Sequence, residues 1–375
     1  MFISADDKQS ITNRIANLNW YLICLIIALA SIGSIMLYSA AGGSFYPWLG
    51  RQLIHFLIFL PLMIIIAVTD IRLLFKTAYI CYFAALLLLV IVAIKGYNSM
   101  GATRWFRFGG INIQPSELMK VCMVFALAKY FYKMEADNIG KNKYLIIPIF
   151  IIIVPTLLVF NQPDLGTAAI LVMTGVVMLF IAGVKMINFI IVGIAGLIAI
   201  PFLWFFVLYD YQKNRILNFL NPNNDPSGSG YNIIQSKIAI GSGGLKGKGF
   251  LNGTQGQLDF LPERQTDFIF TMLAEELGFI GGVITIIIYS LIIYIGISMT
   301  LKIKHQFGRL LVMGIITIFF FHMFINIGMV MGLVPVVGAP LPLISYGGTI
   351  TATMLIGFGL LLNADLYRNV DLSEL

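Results

Sequence analysis

Stretches of about 20 apolar residues recur along this 375-residue chain, and they limit its fold more than any other feature. About 20 residues of α-helix cross the roughly 30 Å hydrocarbon core of a bilayer. Lipid offers backbone N–H and C=O groups no partner, so such stretches must satisfy themselves as helices. Ten of them can be read, near residues 18–40, 52–69, 72–94, 116–133, 144–160, 166–184, 187–208, 268–301, 309–334 and 349–364. The eighth is long enough to tilt or protrude. Composition agrees: 59% of residues are hydrophobic and 11% are charged, where a soluble domain carries roughly 25%. The expected fold class is an all-α polytopic membrane protein of about ten transmembrane helices. Residues 1–375 form a single transmembrane domain, with a large extracytoplasmic loop, 209–267, between spans 7 and 8. The first apolar run, from Leu18, shows no cleavage pattern and is expected to stay as the first helix.

Lysine and arginine set the orientation. One set of short connections holds Lys8, Arg14, Arg72, Lys76, Lys129, Lys133, Lys141, Lys143, Lys185, Lys302, Lys304, Arg309 and Arg368. The opposite set holds Arg51, Lys95, Arg104 and Arg107. Positive charge collects on the cytoplasmic side, so both termini are expected in the cytoplasm and the 209–267 loop outside. The net charge of +7 then serves topology and anionic lipid, not nucleic acid. Cys24, Cys81 and Cys122 lie within apolar runs and read as small core residues. His55, His305 and His322 are dispersed and form no zinc pattern.

Ionisable groups within or at the rim of a span are costly and are functional candidates. Glu117 and Lys120 share a helix face at i,i+3, as a structural ion pair or a site. Asp164, after Pro163, suits a helix N-cap, and a helix start also offers N–H groups to anions. Asp267 follows Pro262-Glu263-Arg264-Gln265-Thr266 where the long loop meets the eighth span. A carboxylate there can touch a lipid-anchored substrate and still exchange protons with water, or it can simply complement the helix dipole. Glu275 and Glu276 lie about two turns deeper, to pair across the bundle or face a wet cavity. Arg104, Arg107, Lys213, Arg215, Lys246, Lys248 and Arg264 fall on the outer side, where they could hold phosphate oxygens. The stretch Gly241–Gly249 fails the spacing of a nucleotide-binding loop, although its glycines permit close backbone approach to a ligand. Tyr231–Ile240 reads as a short re-entrant or interfacial helix. Pro335–Gly348 is charge-free and rich in Pro and Gly, non-helical backbone of a kind tolerated only where it is buried or lines a cavity.

These motifs together resemble the SEDS family of cell-wall proteins. They comprise Gln114-Pro115-Ser116-Glu117-Leu118, Asn161–Thr167, Ser236–Gly249 with Gly253-Thr254-Gln255, Pro262–Phe270 with Ala274–Gly278, and Pro340–Gly348. Ala274-Glu275-Glu276 and Pro335–Gly338 followed by Pro340–Leu343 look more like the RodA branch than the division homologue FtsW. The resemblance implies a ten-helix fold and polymerisation of lipid II, the undecaprenyl-pyrophosphoryl disaccharide-pentapeptide. It matches Asp267 to the family's essential loop aspartate, and Glu117 and Lys120 to its membrane ion pair. Gln265 stands where a His is common; Gln keeps hydrogen bonding and loses titration. Substrate contacts are expected from Arg104, Glu117, Lys120, Asp164, Arg215, Lys246, Lys248 and Arg264. No cofactor is assigned, and a divalent cation, Mg or Mn, is left open. The implied partners are a class B penicillin-binding protein transpeptidase and other membrane proteins of the elongation complex. A lipid II flippase using the same acids as a cargo path, and a non-enzymatic scaffold, are the rival functions.

Overall fold

Each of the ten apolar stretches is a helix in the protein's computed structural model, which describes residues 10–99, 102–108, 111–134, 139, 141–221, 229–258 and 260–372. A short α1 (Ile11–Ala16) precedes α2 (Trp20–Ala40), α3 (Leu49–Val68) and α4 (Ile71–Lys95). Strands β1 (Tyr97–Ser99), β2 (Ala102–Phe108) and β3 (Ile111–Ile113) then form an antiparallel meander with β2 central and Phe106 opposite Ile113. The all-α class expected from sequence holds for the bundle, and this small sheet is an addition to it. Its strands are too short to stand out against the apolar runs beside them. The chain continues through α5 (Pro115–Tyr132), α6 (Asn142–Asn161), α7 (Leu165–Ala182) and α8 (Met186–Phe202), which ends in a π-helical turn, Leu203–Val207. Helices α9 (Asp210–Leu220), α10 (Ser229–Gly243) and α11 (Thr254–Gln257) occupy the long loop. Helices α12 (Ile269–Lys302), α13 (Gln306–Val330) and α14 (Gly348–Leu366) complete the bundle.

Among the described residues, eight helices are long and apolar enough to cross a membrane: α2, α3, α4, α6, α7, α12, α13 and α14. The other two that match apolar stretches are α5, which carries Glu117, Lys120 and Lys129, and α8, which has 17 residues and buries none of them. Large apolar side chains such as Ile54, Leu57, Phe83, Leu87 and Ile198 face outward, as they do where lipid is the solvent. The enclosed centre is α13, which packs on α5, α7, α12 and α14, while the most extensive interface joins α3 to α14. Arg14 donates to the Val68 carbonyl and lies over the Tyr367 ring, and Lys304 N–H donates to the Arg368 carbonyl. The ends of α1, α3, α12 and α14 therefore meet at one end of the bundle. There His305 caps α13, its Nδ1 accepting from Gly308 N–H at 2.9 Å. Burial lowers its pKa to about 4, which keeps that nitrogen free to accept.

The long loop is mostly folded. The helix expected over Tyr231–Ile240 is α10, seated against α12. Beyond it, residues 244–249 intrude into α12. Lys248 and Gly249 N–H donate to the Glu275 and Glu276 carbonyls, and Phe279 and Ile280 N–H donate to the Gly244 and Leu245 carbonyls. Helix α12 breaks at this intrusion, with Gly278 at φ 68°. The close approach that the glycines permit is thus to another backbone: a Cβ on Gly247 would lie 2.1 Å from the Glu276 carbonyl oxygen.

The segment between α13 and α14 is non-helical, and its residues 341–345 are buried. It reaches far enough into the bundle to touch the middle of α2, where a Cβ on Gly33 would lie 2.6 Å from Ile344 Cα. Both neighbours are backbone and neither can swing aside. Gly33→Ala should therefore cost about 1–3 kcal/mol by overpacking. Thermal unfolding in detergent should show a clear fall in midpoint, whereas Gly193→Ala, where a Cβ meets nothing within 4 Å, should leave it in place.

Candidate active site

At the end of the bundle opposite Arg14 and Tyr367, the starts of α5, α7, α12 and α14 surround a cavity of about 360 Å³. Its wall includes four carboxylates, Glu117, Asp164, Glu263 and Asp267, together with Arg215 and Trp105. Each carboxylate arrives by a local rule of chain structure. Asp164 is the N-cap of α7: Oδ1 accepts from Thr167 N–H at 3.2 Å. Its Oδ2 accepts from Gln114 Nε2 at 3.0 Å, which ties the start of α5 to the start of α7. Glu117 lies in the first turn of α5, where a negative charge complements the helix dipole. Glu263, at φ 54°, opens the turn that leads into α12, and its carbonyl accepts from Thr266 and Asp267 N–H at 3.1 Å.

Asp267 ends that turn and is half-buried on the cavity wall. Its backbone carbonyl accepts from Asn326 Nδ2 of α13 at 3.0 Å. The same amide donates to the Ala339 carbonyl at 2.7 Å. Ser345 Oγ donates to the Thr266 carbonyl, and Tyr346 N–H donates to the Gln265 carbonyl at 2.8 Å. Gln265 Nε2 donates to Glu263 Oε2 at 3.1 Å, so its side chain serves the turn itself.

Under the cavity, Lys120 is fully buried and Glu117 nearly so, at 3% exposure. Lys120 Nζ donates to Glu117 Oε1 at 2.7 Å and meets His322 Nε2 of α13. The i,i+3 pair expected from sequence is present, with His322 as a third member. A charge at this depth is tolerated because the ammonium and the carboxylate lie within hydrogen-bond reach of each other.

The other expected substrate contacts divide. Arg215, of α9, does line the cavity. Lys248 is drawn to Glu275 Oε1 at 2.8 Å, where Thr254 and Gln255 N–H also donate. Glu276 accepts from Ser39 Oγ and from Leu251 N–H. The two deeper acids thus fasten the loop to α12. Arg264 donates to the Ala40 carbonyl at 3.0 Å and to the Gly256 carbonyl, and lies over the Trp48 ring. It staples the loop to α2 and does not line the cavity. Lys246 is exposed and off the cavity wall, and Lys120 lies beneath it. The side chain of Arg104 lies outside the described residues. Arg215 is the one of these cations on the wall among the described residues. Sequence reading missed Trp105, Glu263, Tyr346, His322 and Asn326 as parts of the site. Asn326 and His322 carried a signal, as an amide and an ionisable ring in the middle of an apolar run.

The FtsW/RodA/SpoVE family of cell cycle proteins matches residues 19–370. The chain belongs to this family. Among its relatives, the peptidoglycan glycosyltransferase MrdB of Escherichia coli K12 is 40% identical over 351 residues, 93% of this chain and 94% of MrdB. Stage V sporulation protein E of Bacillus subtilis is 40% identical over 288 residues, 77% of each chain. A probable peptidoglycan glycosyltransferase FtsW from Trichlorobacter lovleyi is 37% identical over 361 residues, 93% of each chain. One solved relative belongs to a peptidoglycan synthase complex that coordinates polymerization and crosslinking; it shares 32% identity, with a TM-score of 0.82 over 95% of this chain and 99% of that one. RodA, the rod shape determining protein of Thermus thermophilus, shares 29% identity with a TM-score of 0.72 over the same shares. The fold therefore follows that of these solved relatives over 95% of the chain.

Removing one partner of a buried ion pair leaves an uncompensated charge, at a cost of about 3–5 kcal/mol. Lys120→Met and Glu117→Gln should each lower the thermal midpoint sharply. The double variant should be less destabilised than the sum of the two, with a coupling of roughly 0.5–3 kcal/mol, measured as a double-mutant cycle in detergent.

Proposed function

We propose that this protein is a peptidoglycan glycosyltransferase of the RodA type, which polymerises lipid II into glycan strands during cell elongation. The observation that carries the reading is Asp267: a half-buried carboxylate on an open cavity, at the end of a turn pinned by side chains from two other segments. A general base needs both properties, access to substrate and a fixed position. The family relationship to MrdB supplies the reaction class.

In this reading the acceptor is the 4-hydroxyl of the GlcNAc of an incoming lipid II. The donor is the anomeric carbon of MurNAc at the reducing end of the growing strand. Asp267 takes the hydroxyl proton as the oxygen attacks, a new C–O bond forms, and the bond to undecaprenyl pyrophosphate breaks. The leaving group carries away the bonding electrons. It is already acidic, so no second carboxylate has to protonate it, unlike in glycosidases. Single displacement inverts the anomeric centre and gives a β1,4 linkage. Arg215 offers positive charge to the departing pyrophosphate. Trp105 and Tyr346 line the same space and give it apolar surface. Among the described residues no three His, Cys, Asp or Glu side chains converge tightly enough to hold an ion by themselves. No step is assigned to Mg or Mn.

The same reading places the cavity on the outer face of the bacterial inner membrane and both termini in the cytoplasm. Its partner would be a class B penicillin-binding protein that crosslinks the strands, within a larger set of elongation-complex membrane proteins. The solved relative from a complex joining polymerization to crosslinking supports this.

The test is a gel assay on labelled lipid II with the purified protein and its cognate transpeptidase. Wild type should give a ladder of glycan strands. Asp267→Asn, folded and partner-bound, should be slower by about 10²–10⁴-fold, the usual worth of a general base. A folded Asp267→Asn variant that polymerises at the wild-type rate would remove Asp267 from the chemistry. Movement of lipid II without a ladder from wild type would favour the flippase reading.

A further inference from the structure

Two side chains on one face of α13, His322 and Asn326, hold consecutive carbonyls of the segment that borders the cavity. Their i,i+4 spacing stacks them along the helix. His322 Nδ1 meets the Pro340 carbonyl at 3.2 Å, and Asn326 Nδ2 meets the Ala339 carbonyl at 2.7 Å. The neighbouring residue, Gly338, sits at φ 72° against Asp267: a Cβ placed there would lie 3.2 Å from Asp267 Oδ2. Asn326 also donates to the Asp267 carbonyl at 3.0 Å. Residues 338–340 and the Asp267 turn are therefore gripped together from one helix face.

The hydrogen placement in His322 follows from its two neighbours. A carbonyl cannot donate, so Nδ1 must carry the hydrogen toward Pro340. The Lys120 ammonium cannot accept, so Nε2 must be the bare nitrogen that takes its hydrogen. Lys120 is itself fixed by Glu117 Oε1 at 2.7 Å. A chain of contacts thus runs from Glu117 through Lys120 and His322 to Pro340, and ends beside the Asp267 carboxylate. None of it requires His322 or Asn326 to touch substrate.

We propose that His322 and Asn326 are positioning residues for glycosyl transfer, setting the Asp267 carboxylate in place through the backbone of residues 338–340. The buried Glu117–Lys120 pair acts in this scheme by holding His322 in the tautomer that donates to Pro340. The inference rests on the glycosyltransferase reading for its consequence in turnover, and on the hydrogen bonds alone for its structural content.

The experiment compares wild type, His322→Leu, Asn326→Leu and His322→Gln, each with the cognate transpeptidase. Gln can imitate both bonds of the imidazole, its NH₂ to Pro340 and its carbonyl oxygen to Lys120. Initial rates on labelled lipid II give kcat and KM, and hydrogen exchange read by mass spectrometry gives the protection of residues 263–268 and 338–346. Both Leu variants should lose at least about tenfold in kcat with KM within roughly twofold of wild type, the mark of a lost transition-state alignment. Their exchange in the two segments should rise by about tenfold or more, and His322→Gln should match wild type in both readouts. Normal kcat and normal protection in the folded Leu variants would overturn the proposal. So would a folded His322→Gln variant as inactive as His322→Leu. Should the Leu variants not fold, His322→Gln decides alone: wild-type kcat and protection support positioning by hydrogen bonds, and loss of either contradicts it. If wild type itself makes no ladder, the glycosyltransferase reading fails, while the exchange comparison still decides whether His322 and Asn326 hold the Asp267 turn.

Discussion

The bundle is organised around the need to satisfy irregular backbone far from water. The segment between α13 and α14 has no helix to bond its carbonyls, and an orphaned buried carbonyl costs roughly 1–3 kcal/mol. Side chains from three helices supply the missing donors. Asn326 and His322 of α13 serve Ala339 and Pro340, Tyr289 of α12 serves Pro342, and Gln52 of α3 serves Ser345. Gln52 Oε1 also accepts from Gly347 N–H at 3.2 Å. The polar groups of Gln52, Tyr289, His322 and Asn326, set in otherwise apolar spans, are explained by this one segment. Because the segment also carries the Ser345 and Tyr346 contacts to the Asp267 turn, the requirement that stabilises the fold is the one that shapes the site.

A second device fixes the other side of the turn. Helix α12 begins two residues after Asp267 and breaks at Gly278, where residues 244–249 lend and borrow the hydrogen bonds that the break would orphan. Glu275 and Glu276, beside the break, gather Lys248, Thr254, Gln255, Leu251 and Ser39. The short first part of α12 is thereby clasped to the long loop and to α2. Asp267 has little freedom to drift, as a base that must meet one hydroxyl requires.

How much was legible in the sequence depends on the range of the interaction involved. All ten apolar stretches became helices because hydropathy over about 20 residues is a local property. The Asp164 cap and the Glu117–Lys120 pair were legible for the same reason, spanning three residues each. Sequence position could not say which cations would reach the cavity. Lys248 and Arg264 lie near Asp267 in sequence, yet each is claimed by a nearer acceptor, Glu275 in one case and the Ala40 carbonyl in the other. Asn326 and His322 were overlooked because the carbonyls they hold, Ala339 and Pro340, belong to a segment 13 and 18 residues away that no local pattern brings back to α13. The β1–β3 meander was hidden by strands of only three to seven residues.

The position of Asp267 against a bound sugar is the central claim, and a structure of the Asp267→Asn variant with lipid II captured in its cavity tests it most directly. The GlcNAc 4-hydroxyl should lie within about 2.6–3.2 Å of the residue 267 side chain, the reach of a general base. The donor pyrophosphate should sit on the Arg215 side of the cavity. A sugar bound away from residue 267, with its 4-hydroxyl against another of the carboxylates, would contradict the assignment.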